Sequence, residues 1–105
     1  MSWKGKDEFK TEVTKIASEM KLEIGTIYMR RMTQKWASIT SDGKRLNFST
    51  NLLDMDKDLG RYVIIHELSH LRVPNHGRLF KSMLKVYLKD VGKIEERLKR
   101  MGKNS

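Results

Sequence analysis

All three histidines of this 105-residue chain, His66, His70 and His76, fall within eleven positions, and its one proline, Pro74, stands between the second and the third. At 100° per residue a helix brings His70 to within ~40° of His66, one turn further on, so both imidazoles leave the same face. The longest apolar run, Tyr62-Val63-Ile64-Ile65, leads directly into the pair. Ile64, Leu68 and Leu71 fall on the opposite side, where they can anchor the helix in a core while the histidines look into a cleft. Acidic residues from Asp54 to Asp58 suit the positive end of a helix dipole. The pattern predicts a helix from about Leu59 to Val73, ended by Pro74.

The remainder of the chain must supply what this helix packs on. Phe9, Val13, Ile16, Ala17 and Met20 recur at helical spacing and predict an N-terminal helix over residues 6 to 20. After Gly25 the period changes. Ile27 and Met29, then Trp36 to Thr40, then Arg45 to Phe48 have strand composition, and the Ser41-Asp42-Gly43-Lys44 turn makes the last two an antiparallel hairpin. Beyond Pro74, Asn75 is placed to cap a helix striped by Leu79, Phe80, Met83, Leu84 and Tyr87, and after Gly92 a basic segment repeats Ile94, Leu98 and Met101. The expected architecture is a small α+β domain spanning residues 1–105: N-terminal helix, about three strands with an exposed edge, central helix, following helix and C-terminal segment.

Composition removes several alternatives. No stretch approaches the ~20 apolar residues that cross a bilayer, and no apolar leader precedes a cleavage site, so no membrane association and a cytoplasmic location are expected. Cysteine is absent. A metal site must therefore use His, Asp or Glu.

His66-Glu67-Leu68-Ser69-His70 is an HExxH pattern. Glu67 lies about 100° round the helix from His66, which keeps its carboxylate off a shared metal but near the attacking water, where it can act as general base. A catalytic zinc site normally has three protein ligands. His76 is the best-placed third, because a break at Pro74 lets the chain fold back; Asp90, Glu95 and Glu96 are the carboxylate rivals. Tyr87 is a weak candidate for stabilising an oxyanion, since its place in an apolar stripe reads equally well as core.

From Met29 to Phe80 the chain resembles the small gluzincin-like peptidases called minigluzincins, and more distantly the bacterial metal-dependent hydrolases with a Trp-Gly-Ser-Cys strand. The residues that carry this are Trp36-Ala37-Ser38-Ile39, Leu46-Asn47, the segment from Tyr62 to His70, and Asn75 to Phe80. Ala37 stands where the hydrolase pattern has Gly, and Ile39 where it has Cys. The resemblance implies a zinc-dependent endopeptidase with one Zn²⁺ on His66, His70 and His76, and Glu67 as base. It also implies that Trp36, Ala37 and Ser38 form a strand at the cleft rim that pairs with an extended peptide substrate. The Ile94, Leu98 and Met101 stripe after Gly92 needs an apolar surface, supplied by the cleft or a second subunit, or else completes the core as a terminal helix. With Gly92 as hinge it suggests a core of 1–91 and a latency tail of 92–105, and the resemblance adds that minigluzincins are held inactive by C-terminal segments.

The 22 basic residues against 13 acidic, net +9, leave a competing reading: a basic module that binds nucleic acid or a protein and cleaves nothing. Trp3, Arg30, Arg31 and the tail cations Lys93, Arg97, Lys99, Arg100 and Lys103 are the candidate phosphate contacts. The same spread of lysine and arginine also describes an ion-paired, heat-resistant surface. Both a monomer and a dimer are compatible with the sequence.

Overall fold

The strands and helices follow from two alternations in the sequence, one of period two and one of period 3.6. The computed structural model describes residues 2–73, 77–88 and 90–101. In chain order they form α1 (Lys6–Glu19), β1 (Thr26–Arg30), β2 (Ala37–Ile39), β3 (Arg45–Ser49), a 3₁₀ turn (Thr50–Asp54), α2 (Lys57–Ser69), α3 (Arg78–Tyr87) and α4 (Val91–Arg100). This is the expected α+β domain. No helix among the described residues is long and apolar enough to cross a membrane.

β3 lies in the centre of the sheet, in the order β1-β3-β2. β2 and β3 form the expected antiparallel hairpin, with Ala37 opposite Phe48 and Ile39 opposite Leu46. The Asp42 carboxylate organises its turn, accepting from the Thr40 hydroxyl at 2.7 Å and the Lys44 amide at 3.0 Å. β1 runs parallel to β3, with Ile27 beside Leu46 and Met29 beside Phe48. Side chains alternate accordingly. Ala37, Leu46 and Phe48 are buried toward the helices, whereas Thr26, Tyr28, Arg30 and Arg45 are exposed on the other face.

The α1 stripe is buried as its spacing requires, and Phe9 meets the Phe48 ring edge-on at 5.2 Å. Trp3 joins them. It is 7% exposed, so the expected surface contact is overturned: its indole lies across Gly60 of α2, where any Cβ would stand 2.7 Å from Nε1. Only a helix position without a side chain lets the ring this close.

α2 starts at Lys57, two residues before the expected position, and its α-helical run stops at Ser69 rather than Val73. Beyond it the Leu71 and Arg72 amides bond three residues back, to Leu68 and Ser69, so the helix tightens before the residue that proline bars from helical backbone. The Arg72 guanidinium then donates to the Met20 carbonyl, tying this end of α2 to the end of α1. In α3, Phe80 and Leu84 are buried, but Leu79 is 65% exposed and does not belong to the core stripe. Leu79 is a quarter-turn off the Phe80 direction. Asn75, expected to cap α3, lies outside the described residues. The expected hinge is also displaced: Gly92 sits in the first turn of α4, and the chain turns at Asp90, whose φ is 54°.

Gly25 is the position where packing leaves least room. Its amide donates to the Gly43 carbonyl at 2.8 Å, and a Cβ there would lie 2.1 Å from the Lys44 carbonyl oxygen. The obstacle is backbone, so β1 would have to leave the hairpin turn. Gly25→Ala is expected to destabilise the fold by about 1–3 kcal/mol, read as a lower midpoint in urea unfolding with an unchanged slope.

Candidate active site

α2 brings His66, Glu67 and His70 to its C-terminal end because the residues around them are consumed by the core. Val63, Ile64 and Leu68 are fully buried, which fixes the helix's rotation. His66 and Glu67 are each 6% exposed. The imidazoles stand with ring centroids 4.9 Å apart and planes at 83°, and Glu67 Oε1 is 3.5 Å from His66 Nδ1. Phe80 of α3 braces both rings, edge-on to His66 at 5.2 Å and stacked on His70 at 4.7 Å. Two imidazoles converging from one helix face, beside a buried carboxylate, are a donor set that suits a zinc-type metal.

A cavity of about 440 Å³ opens beside His66 between α3 and α4, walled by Phe80, Leu84, Val91 and Glu95. The sequence reading missed the residue beneath it. Tyr62, one turn before His66 with its ring 5.6 Å away, donates its hydroxyl to Glu95 Oε2 at 2.9 Å. The four-residue spacing from His66 was the available signal. Burial, reinforced by the Glu95 carboxylate, pushes the Tyr62 phenol well above its ordinary range, so it remains a proton donor.

The other expected site residues distribute unevenly. His76 lies outside the described residues. Of the carboxylate rivals, Glu95 alone faces the His66 cavity. Glu96 is exposed and accepts from Arg100 Nη2 at 2.7 Å, while Asp90 lines a separate cavity of about 570 Å³ with Tyr87, Asp58 and Arg61. Tyr87 is thus placed apart from the His66 cavity, and Tyr62 is the tyrosine next to it. Among the described residues, no three metal-capable side chains gather at one point. β2 is the strand that packs against α2, and its outer edge has no strand partner among the described residues. Trp36 is 1% exposed and its ring is core; Ala37 is buried and Ser38 half-buried. Among the tail cations, Arg97 pairs with Asp56 at 3.0 Å and Arg100 with Glu96, while Lys103 lies outside the described residues.

An HExxH helix that turns its histidine face to a cavity has the pattern of a metallopeptidase. The family model of the YgjP-like metallopeptidase domain matches residues 2–101, and the chain belongs to that family. An uncharacterised protein of Methanocaldococcus jannaschii is 29% identical over 89 residues, which cover 77% of this chain and 81% of that protein. Among solved structures, the metallopeptidase zymogen of M. jannaschii jannalysin superimposes with a TM-score of 0.80 at 28% identity, covering 91% of this chain and 98% of that one. The zymogen of Pyrococcus abyssi abylysin gives 0.75 at 18% identity, covering 91% and 97%, a likeness of fold.

The Tyr62–Glu95 bond links α4 to the active-site helix, and hydrogen bonds to a charged group contribute about 1.5–3 kcal/mol. Tyr62→Phe should therefore loosen α4 while α2 keeps its burial. Hydrogen exchange is expected to accelerate at least tenfold in amides 94–100 and to stay unchanged in amides 61–68.

Proposed function

We propose that the chain is a zinc-dependent endopeptidase in which His66, His70 and His76 hold one Zn²⁺ and Glu67 is the general base. The observation that carries this is the placement of two imidazoles and the Glu67 carboxylate together at the buried end of α2, beside an open cavity. The metal, when bound, would supply Lewis acidity toward the scissile carbonyl. Glu67 takes a proton from the attacking water and returns it to the departing amine. Phe80 holds the two imidazoles in orientation, and along the segment Trp36, Ala37 and Ser38 an extended peptide would pair with the main chain of Ala37, since the Trp36 carbonyl already accepts from the Ser49 amide.

Glu67→Gln is expected to lower peptide cleavage by at least about 100-fold while zinc content and melting temperature stay at wild-type values. Cleavage near the wild-type rate would remove Glu67 from the mechanism. Zinc content also decides the third ligand: loss in His76→Ala supports the histidine, whereas retention there and loss in Glu95→Ala would transfer the role to Glu95.

The same reading includes latency. α4 forms one wall of the cavity beside His66, docked through Ile94, Leu98 and the Tyr62–Glu95 bond, and the jannalysin and abylysin structures are both of zymogens. The core then ends at Asp90, where the chain turns, and the latency segment is 91–105. Leu98→Asp in the full chain, and a chain ending at Asp90, should both cleave peptides faster than the full chain while retaining zinc. Equal rates in folded proteins would refute latency.

A further inference from the structure

We propose that the outer face of the sheet is a binding surface for single-stranded nucleic acid, separate from the peptidase site. The strand alternation that sends Leu46 and Phe48 into the core sends Thr26, Tyr28, Arg30, Ser38, Arg45 and Asn47 the other way, and no acidic residue is among them. Tyr28 is 42% exposed, a large ring left in the open halfway along the edge strand β1. Arg45 reaches over it from the neighbouring strand, its guanidinium carbon 5.7 Å from the ring centroid. Tyr28, Met29, Arg30, Arg45 and Asn47 line a shallow depression of about 400 Å³.

The chemistry of this face selects a ligand class. Arg30 and Arg45 spring from opposite ends of the paired strands: Arg45 is level with Thr26, four residues from Arg30, or ~13 Å along the sheet, with Tyr28 midway. Two cations, Arg30 further along the strand and Arg45 over the ring, together with an exposed π-surface match a ligand that alternates negative charge with planar rings, as phosphates and bases do. Bases stack on guanidinium planes as well as on tyrosine, so the Arg45–Tyr28 pair extends the platform. Asn47 and Ser38, which lie in the same cross-strand row as Tyr28 and approach each other at 3.5 Å, offer amide and hydroxyl groups to base edges. Charge around the face has the same sign. Arg31, Lys35 and Lys44 are exposed at the strand ends, and Asp42, the one acidic residue between Ile24 and Ser49, is engaged within its own turn. An acidic polypeptide would satisfy the arginines but leaves the ring platform without a counterpart.

The test is fluorescence anisotropy of a labelled oligothymidylate of about 15 nucleotides with the full chain, at about 50 mM and 200 mM NaCl. Binding is expected at the lower salt and should fall steeply at the higher. Arg30→Ala/Arg45→Ala should weaken it at least tenfold, Tyr28→Ala about tenfold, and Tyr28→Phe little, because stacking needs the ring and not the hydroxyl. Glu67→Gln should bind like the unaltered chain, which separates this face from the peptidase reading. Absence of binding at low salt would overturn the proposal, as would equal affinity of the Tyr28→Ala variant. Displacement of the oligonucleotide by polyglutamate at equal charge concentration would also overturn it, reassigning the face to acidic polypeptides.

Discussion

The structure depends on burying one helix on almost every side. From Leu59 to Ser69 each residue of α2 except Arg61 is buried, and α1, α3, α4, β2 and the 3₁₀ turn all pack against it. A helix that is apolar around most of its circumference cannot lie on a surface, so the other elements must enclose it. Each fully buried Val, Leu or Ile contributes about 1.5–3 kcal/mol relative to exposure, enough to hold the helix at one rotation and height. His66 and Glu67 inherit that fixity. In so short a chain this is how a reactive constellation is kept in register: its side chains ride on the most tightly held element.

The enclosing elements also divide the labour at the site. α3 contributes Phe80, whose ring touches both imidazoles, and α4 contributes Glu95, which meets Tyr62. The α3 contact is apolar and orients the rings, whereas the α4 contact is a polar bond in a half-closed cavity whose carboxylate can be solvated once separated. α3 thus meets the site through an aromatic ring, and α4 meets it through a polar bond while Ile94 and Leu98 seat it in the core. The exposed pair between Arg97 and Asp56 adds little to α4 docking, as such surface pairs generally do.

What the sequence disclosed and what it withheld divide along the same line. The HExxH face, the α1 stripe and the β2–β3 hairpin were legible because each is a local pattern of fixed period with a turn or cap beside it. The parallel pairing of β1 with β3, the burial of Trp3 against Gly60, and the Tyr62–Glu95 bond join segments far apart in the chain, and no window of sequence contains both partners. Leu79 and Gly92 were misread for a different reason. A leucine next to a stripe, or a glycine near a helix start, looks the same whether it packs, caps or bends, and only the neighbouring chain decides. The displaced end of α2 belongs here as well: Pro74 marks a boundary, but the tight turns at Leu71 and Arg72 place it.

The net charge of +9 is not spread evenly over this architecture. On the helical side cations meet acids: Lys57 approaches Glu8 at 3.3 Å, Arg61 approaches Glu12 at 4.0 Å, and Arg97 and Arg100 have partners in Asp56 and Glu96. Ion pairing offsets part of the charge on that side. It does not account for the sheet, where Arg30 and Arg45 stand on a face without a carboxylate. The two sides meet in β3, whose Leu46 and Phe48 point inward while Arg45 and Asn47 point outward. Because the pleat separates these sets, the outer residues are free of the packing that fixes α2. Substitution there leaves in place the residues that hold α2, so the proposed binding face can be altered without disturbing His66, Glu67 or His70.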